Sequence, residues 1–362
     1  MPRRFLCAAV VLASLSLAAC AQETVEGPDW LVDPIQAQQL GFSTRWVADL
    51  KLPVNQRIEH AKIIGDQVIC IERPTRLVSA ISLRDGRLLW QRVVGGPTDQ
   101  LFEPFERSGR IVVNSGGRVF TLDPRTGQIE SVSELDQMVG DAPAVYGDLA
   151  IFGGLNGHVF AHDVRIGYKV WAYNMGAAVQ ARPIIVGDSV FVANLAGQYA
   201  LLDASTGERE WHGRTFGPVT GKPAASTIGI FLASQDQTLY CLNRAQGDDR
   251  WKYPTASPLR EDVALFGRTV YLFIPPAELQ ALDAVTGELR WTMQTTARPI
   301  AQRDRQILLR DKNALLAVEE ATGVLVDELP IKKRTNTVLT GPDDSLLIVT
   351  NQGQVTRLDR LR

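Results

Sequence analysis

Cysteine and histidine are scarce, with four of each in 362 residues. No two cysteines are adjacent, and no C-x-x-C, H-E-x-x-H or G-x-S-x-G occurs. That removes the short motifs of dithiol redox centres, zinc proteases and nucleophile-elbow hydrolases. An excess of one charge is missing too. The formal net charge is −2, so no bulk attraction to nucleic acid or to an anionic membrane is expected. Long apolar runs are absent but for one, Phe5 to Leu17, which is too short for a comfortable membrane span. No helical periodicity competes with the many short β-rich runs that follow it.

That run comes after Arg3 and Arg4 and has the layout of a signal peptide. It ends Leu17-Ala18-Ala19-Cys20, which resembles the lipobox of bacterial lipoproteins. The resemblance implies cleavage before Cys20 and acylation of its thiol and new amino group. Several chains on one residue anchor stably, at roughly 0.8 kcal/mol per buried methylene. Residue 21 is Ala, not the Asp that often signals inner-membrane retention. The expected address is the outer membrane, facing the periplasm, in a cell that has one. Residues 1–19 are thus expected to be a lipoprotein signal peptide. Residues 20–43 are expected to be a lipidated cysteine and flexible tether, with a lone Trp30 docking locally. Cys70 and Cys241 lie in apolar strand patterns about four repeats apart. They are expected to be small buried hydrophobes, not a disulfide.

The body of the chain, 44–362, is repetitive. Asp163-Val-Arg-Ile-Gly167, Asp203-Ala-Ser-Thr-Gly207, Asn243-Arg-Ala-Gln-Gly247 and Asp283-Ala-Val-Thr-Gly287 are each followed four residues later by a tryptophan: Trp171, Trp211, Trp251 and Trp291. The series extends to Gly86 with Trp90, to Asp123–Gly127 and to Glu319–Gly323. Within a unit such as 183–211, short apolar runs alternate with Gly/Asn/Asp turns, the signature of successive hairpins. In the turn, the Asp accepts backbone amides and the Gly takes a positive φ at no steric cost. The tryptophan belongs to the next strand and is placed to pack on a neighbouring unit. Four strands in about 40 residues make a propeller blade. Third strands end near Ser82, Asp123, Asp163, Asp203, Asn243, Asp283, Glu319 and Asp359, which predicts eight blades. Thr44 to Leu50 is a fourth strand with no preceding three, and the C-terminal strands to Asp359 lack a fourth. The predicted fold is therefore all-β: an eight-bladed propeller of four-stranded antiparallel blades, closed by the N-terminal strand pairing with the last three. Closure removes open sheet edges.

The best-preserved unit, Ala281-Leu-Asp-Ala-Val-Thr-Gly-Glu-Leu-Arg-Trp291, resembles the repeat of the quinoprotein-like propellers, and the likeness extends over the whole body of the chain. One branch of that family is the pyrroloquinoline quinone dehydrogenases. The other is the BamB-type lipoproteins, non-catalytic scaffolds of outer-membrane protein assembly. Lipobox, tether and a single ring of bare repeats are similar to the second branch. The enzymes carry long insertions and an adjacent-cysteine ring beside the quinone, and neither is present here. The resemblance implies no cofactor, no catalysis, a monomeric propeller and a protein partner, with a β-barrel assembly protein as the expected one. A propeller that binds a small ligand such as a quinone or sugar, without catalysis, is the alternative.

Candidate binding residues fall outside the repeat. Arg182, Lys222 and Arg298 stand just before a proline at the start of first strands, with Arg57 and Arg260 nearby. First strands line a propeller's channel, so these cations are expected to gather at one mouth of it and to suit an acidic peptide or small anion. In the BamB-type family the partner site lies on loops between blades and uses a Leu/Arg-rich segment. Ser257-Pro-Leu259-Arg260-Glu261 is similar, which implicates Leu259 and Arg260. The acidic segment that accompanies it in the family has no counterpart at 295–299. His158 and His162 fall in one predicted strand, roughly 13 Å apart, too far for one metal ion. They are expected to be ordinary core or edge residues. Ser115-Gly116-Gly117 is expected to be a hairpin turn and not a phosphate loop.

Overall fold

The computed structural model describes residues 30–361. Cys20 and the signal peptide lie outside them. The described residues from Leu31 onward form eight four-stranded antiparallel sheets arranged as a propeller. Blade 1 begins with the strand Arg57–Ile64, blade 2 with Phe105–Arg107, blade 3 with Ala144–Tyr146 and blade 4 with Ile184–Val186. Blades 5 to 8 begin with Ala224–Ala225, Ala264–Phe266, Arg298–Arg303 and Thr335–Thr340. Blade 8 is completed from the other end of the chain. Its last strand is Phe42–Asp49, paired antiparallel with Gln354–Arg360 so that Ser43 faces Asp359.

Burial follows strand position. Second and third strands are sealed on both faces because a neighbouring blade covers each side. Phe191, Val192, Leu201 and Leu202 of blade 4 are all nearly inaccessible. Fourth strands form the rim and are mostly exposed: in Arg209–Arg214 only Trp211 is buried. The core is a series of inter-blade clusters. One joins Phe191, Leu201 and Trp211 of blade 4 to Ile230, Leu232 and Tyr240 of blade 5. The closing junction is built the same way, with Trp46 and Val349 of blade 8 against Val68 and Ile81 of blade 1.

The repeat residues are the fasteners of these junctions. In the turn at 203–207, the Asp203 carboxylate accepts the amides of Ser205 at 2.9 Å and Thr206 at 2.8 Å, and Gly207 has φ +74°. Each indole lies on the turn glycine of the following blade. A Cβ at Gly207 would stand 2.4 Å from the Trp171 ring, and one at Gly247 2.4 Å from Trp211. Each indole N–H also donates to the carbonyl just after the turn's first residue: Trp171 to Ala204 at 3.1 Å, Trp211 to Arg244 at 2.9 Å, Trp291 to Glu320 at 2.7 Å. The ring thus buries its apolar body while its polar edge is satisfied.

One boundary differs from expectation. The tether was expected to run free to Ser43, but the chain is docked from Leu31. Asp33 caps a short helix, Pro34–Gln39, accepting the amides of Ile35 and Gln36. Leu31, Val32 and Ala37 are buried in one cluster with Leu308, Leu315 and Ala317 of blade 7 and Leu346 and Ile348 of blade 8. The segment's richness in Gln, Glu, Asp and Pro is that of a linker, and its few apolar residues carry the docking. Their partners lie about 300 residues away. Cys70 and Cys241 are free and buried on blades 1 and 5, and burial pushes both thiols up to about 12.

Candidate functional site

Five blades set a residue two positions ahead of the first strand, where the chain turns toward the channel. In blades 2 to 6 these are Glu103, Ala142, Arg182, Lys222 and Asp262. Proline follows four of them and fixes the backbone there. The side chains interact around one opening. Glu103 accepts a hydrogen bond from Lys62 Nζ at 2.6 Å, and Arg182 Nη1 lies 3.2 Å from the same oxygen. Burial pushes the Glu103 carboxyl up, but the charges of Arg182 and Lys62 outweigh it and hold its pKa at about 2. Lys222 is pulled below the usual lysine range, first by loss of hydration and then by the charge of Arg182. Burial raises Asp141, against the amide of Ala142 that it accepts at 2.6 Å. Burial also lowers His60, while Glu59, Glu103 and Asp141 pull it up.

The structure therefore brings Arg182 and Lys222 together, as expected, but not as a pool of cations. Glu103, Asp141 and Asp262 are interleaved with them, and Lys62 and His60 join from blade 1. The Lys222 amide is itself bound to the Asp262 carboxylate at 2.8 Å. A mouth of mixed sign suits a partner presenting both charges better than a simple anion. The acidic members were legible in the sequence. Glu103-Pro104 occupies the same register as Arg182-Pro183 and Lys222-Pro223, and a search for cations alone passes over it.

Arg298 stands apart from this group. Glu261 grips it through both carboxylate oxygens at 3.0 Å, and its guanidinium stacks 3.3 Å from the Phe273 ring centre. This pair lines a cleft of about 400 Å³ shared by blades 6 and 7, together with Asp262, Tyr271 and Arg310. Arg260 is exposed, and its carbonyl accepts the Thr220 hydroxyl at 3.3 Å. Leu259 is 1% exposed and packs with Phe231, Leu239 and Val263, so its part in this loop is to pin it to the core. Arg57 is exposed at the start of blade 1, opposite Arg73 in the ladder. His162 is buried, with Nε2 2.9 Å from the Ser133 hydroxyl. His158 sits half-buried in the same strand. Ser115 closes a hairpin turn by donating its amide to Arg118 O at 2.8 Å.

Comparison with known proteins bears on this architecture. A search of curated proteins found no match. Among solved structures, BamB from Moraxella catarrhalis superposes with a TM-score of 0.71 at 17% identity, over 88% of this chain and 99% of that one. The computationally designed protein Ika8 superposes equally well, TM-score 0.71 at 12% identity, over 87% and 98%. A designed ring matching as closely as a natural one means that these likenesses speak for the fold alone. The family model described as outer membrane protein assembly factor BamB matches residues 43–253 and 254–361, the whole propeller. The chain belongs to the BamB family.

Proposed function

We propose that the protein is a non-catalytic interaction scaffold that assists assembly of outer-membrane β-barrel proteins. In this reading it is held on the periplasmic side of the outer membrane by acyl chains on Cys20. The observation that carries it is the family match across every blade, on a ring whose repeat aspartates are spent in turns. Asp123, Asp203 and Asp283 each accept two amides of their own turn. Hydrogen bonds hold all three below the usual carboxylate range, chiefly the Thr126 amide for Asp123, the Ser205 hydroxyl for Asp203 and the Arg290 guanidinium for Asp283. They are structural acceptors and are not poised as general bases.

The partner surface is assigned to the loops that lead into blades 5 to 7, where Arg260 and Asp262 are exposed together. Leu259 anchors that loop from beneath. A photo-crosslinking residue in place of Arg260, in intact envelopes, tests the reading. The expected product joins the chain to a β-barrel assembly protein. Crosslinks only to lipid or to unrelated periplasmic proteins would overturn it.

A further inference from the structure

Seven turns of the repeat type occur among the described residues, and six have an indole lying on their glycine. Trp46 covers Gly86, Trp90 covers Gly127, Trp171 covers Gly207, Trp211 covers Gly247, Trp251 covers Gly287 and Trp291 covers Gly323. All six indoles donate to the adjoining turn carbonyl, at distances between 2.7 and 3.2 Å. The exception is Gly167 of blade 3. The rim strand of blade 2 that should cover it, Ile129–Glu134, carries Ser131 at the tryptophan position. Ladder register confirms the equivalence: Ser131 faces Thr121 as Trp171 faces Ala161 and Trp211 faces Leu201.

Among the described residues no other ring takes its place; Ser133 meets His162 Nε2 at 2.9 Å and Lys169 pairs with Asp136 across the junction. A Cβ built on Gly167 meets only the Ser133 Cβ, at 3.4 Å. Thr121 is half-exposed; Arg357 beneath Trp46 is also only partly buried, whereas Ala80, Ala161, Leu201, Cys241 and Ala281, beneath the other five indoles, are sealed. A cleft of about 430 Å³ lies there, between Ser131 and Ser133 on one wall and Val164, Gly167 and Lys169 on the other. The Val164 carbonyl holds the place of the six indole acceptors. At the other rim position without tryptophan, Asp327 of blade 7, the residue beneath is Ala317. It is buried in the cluster to which the chain's own Leu31–Ala37 segment contributes. A segment from outside the blades thus helps seal one such junction, and the blade 2–blade 3 junction, filled inside by Phe105, Val119, Phe152 and Phe160, is left open at its rim.

We infer that this cleft is a binding slot for a tryptophan side chain presented by an extended segment of a protein partner. The indole would lie on the Gly167 backbone and donate to the Val164 carbonyl, as the six internal copies do. The apolar face drives burial, and the N–H selects Trp over Phe. The site lies on the rim, away from Arg260 and the channel residues, and does not depend on the proposed assembly role.

The test uses the mature full chain and the probe N-acetyl-5-fluoro-L-tryptophanamide, followed by fluorine NMR. The expected result is a saturable shift with Kd on the order of 1 mM for the isolated side chain, and a weaker response to the phenylalanine analogue. Ser131→Trp fills the slot from within. It should abolish the shift and raise Tm by about 2–4 °C, while Ser131→Ala keeps the shift. If Ser131→Trp does not fold, Ser131→Phe serves as the blocked variant. No saturable shift in the parent, an undiminished shift in the blocked variant, or a folded Ser131→Trp no more stable than the parent would each overturn the inference.

Discussion

At the residue scale, one indole joins two blades in three ways: it buries its ring, donates its N–H and rests on a glycine that cannot be anything else. Trp211→Ala removes all three, and a loss of about 3–5 kcal/mol is expected in denaturant unfolding. Gly247→Ala attacks the same contact from the other side, at φ +76° and against the ring. The double variant should therefore cost less than the two losses added together. Glu103 gives a pH prediction. Its carboxyl is depressed to about 2 in the folded chain from 4.5. A depressed acid binds fewer protons folded than unfolded, so its stabilisation is present above the unfolded value and fades as pH falls from about 4.5 toward 2. Glu103→Gln should lower Tm at neutral pH, and the gap to the parent should narrow across that window.

At the element scale, the segment from Leu31 to Leu40 behaves as a plug. It brings little helix propensity of its own in six residues, so its order comes from burial on blades 7 and 8 and from the Asp33 cap. Val32 is fully buried there. Val32→Asp would place an unpaired carboxylate in an apolar cluster, and expulsion of the segment relieves that at lower cost. The expected outcome is new protease cleavage between residues 31 and 41 and a lower Tm, with the blades themselves still folded. If the segment stays protected, the plug is not what seals that junction. The strand after it, Phe42–Asp49, has no local partner and waits for Gln354–Arg360. Ring closure is thus the contact of greatest sequence separation and is expected to form late in folding.

At the scale of the whole molecule, predictions concern where the ring is held and what it meets. On the proposed anchoring at Cys20, Cys20→Ser should move the protein from the membrane fraction to the soluble periplasm, with mass spectrometry of the N-terminal peptide showing acyl groups on the parent and none on the variant. Arg260→Glu should weaken partner capture while leaving Tm unchanged, because Arg260 is exposed. Reversing Arg182 is a poorer test, since a carboxylate there would also break the contact with Glu103 and destabilise the mouth. Retained capture in the Arg260 variant would remove that loop from the interface.

Blade number, strand order and ring closure were all legible from the positions of Asp, Gly and Trp, because a repeat states the same local geometry many times over. Turn amides, a positive φ and a strand-end indole are short-range requirements, and residue type alone reports them. Two features resisted. The plug at Leu31 was invisible because its partners are distant in sequence. The charge of the channel mouth was legible only in part: Asp262 and Glu261 stand beside the cations in the sequence, but which acids face which cations across a ring is set by the packing of distant blades. Ser131 lies between these cases. The sequence by itself showed that a tryptophan was missing from blade 2. Only the tertiary structure decided that no other described ring fills its place at the rim, since whether that rim is open depends on two blades packed side by side.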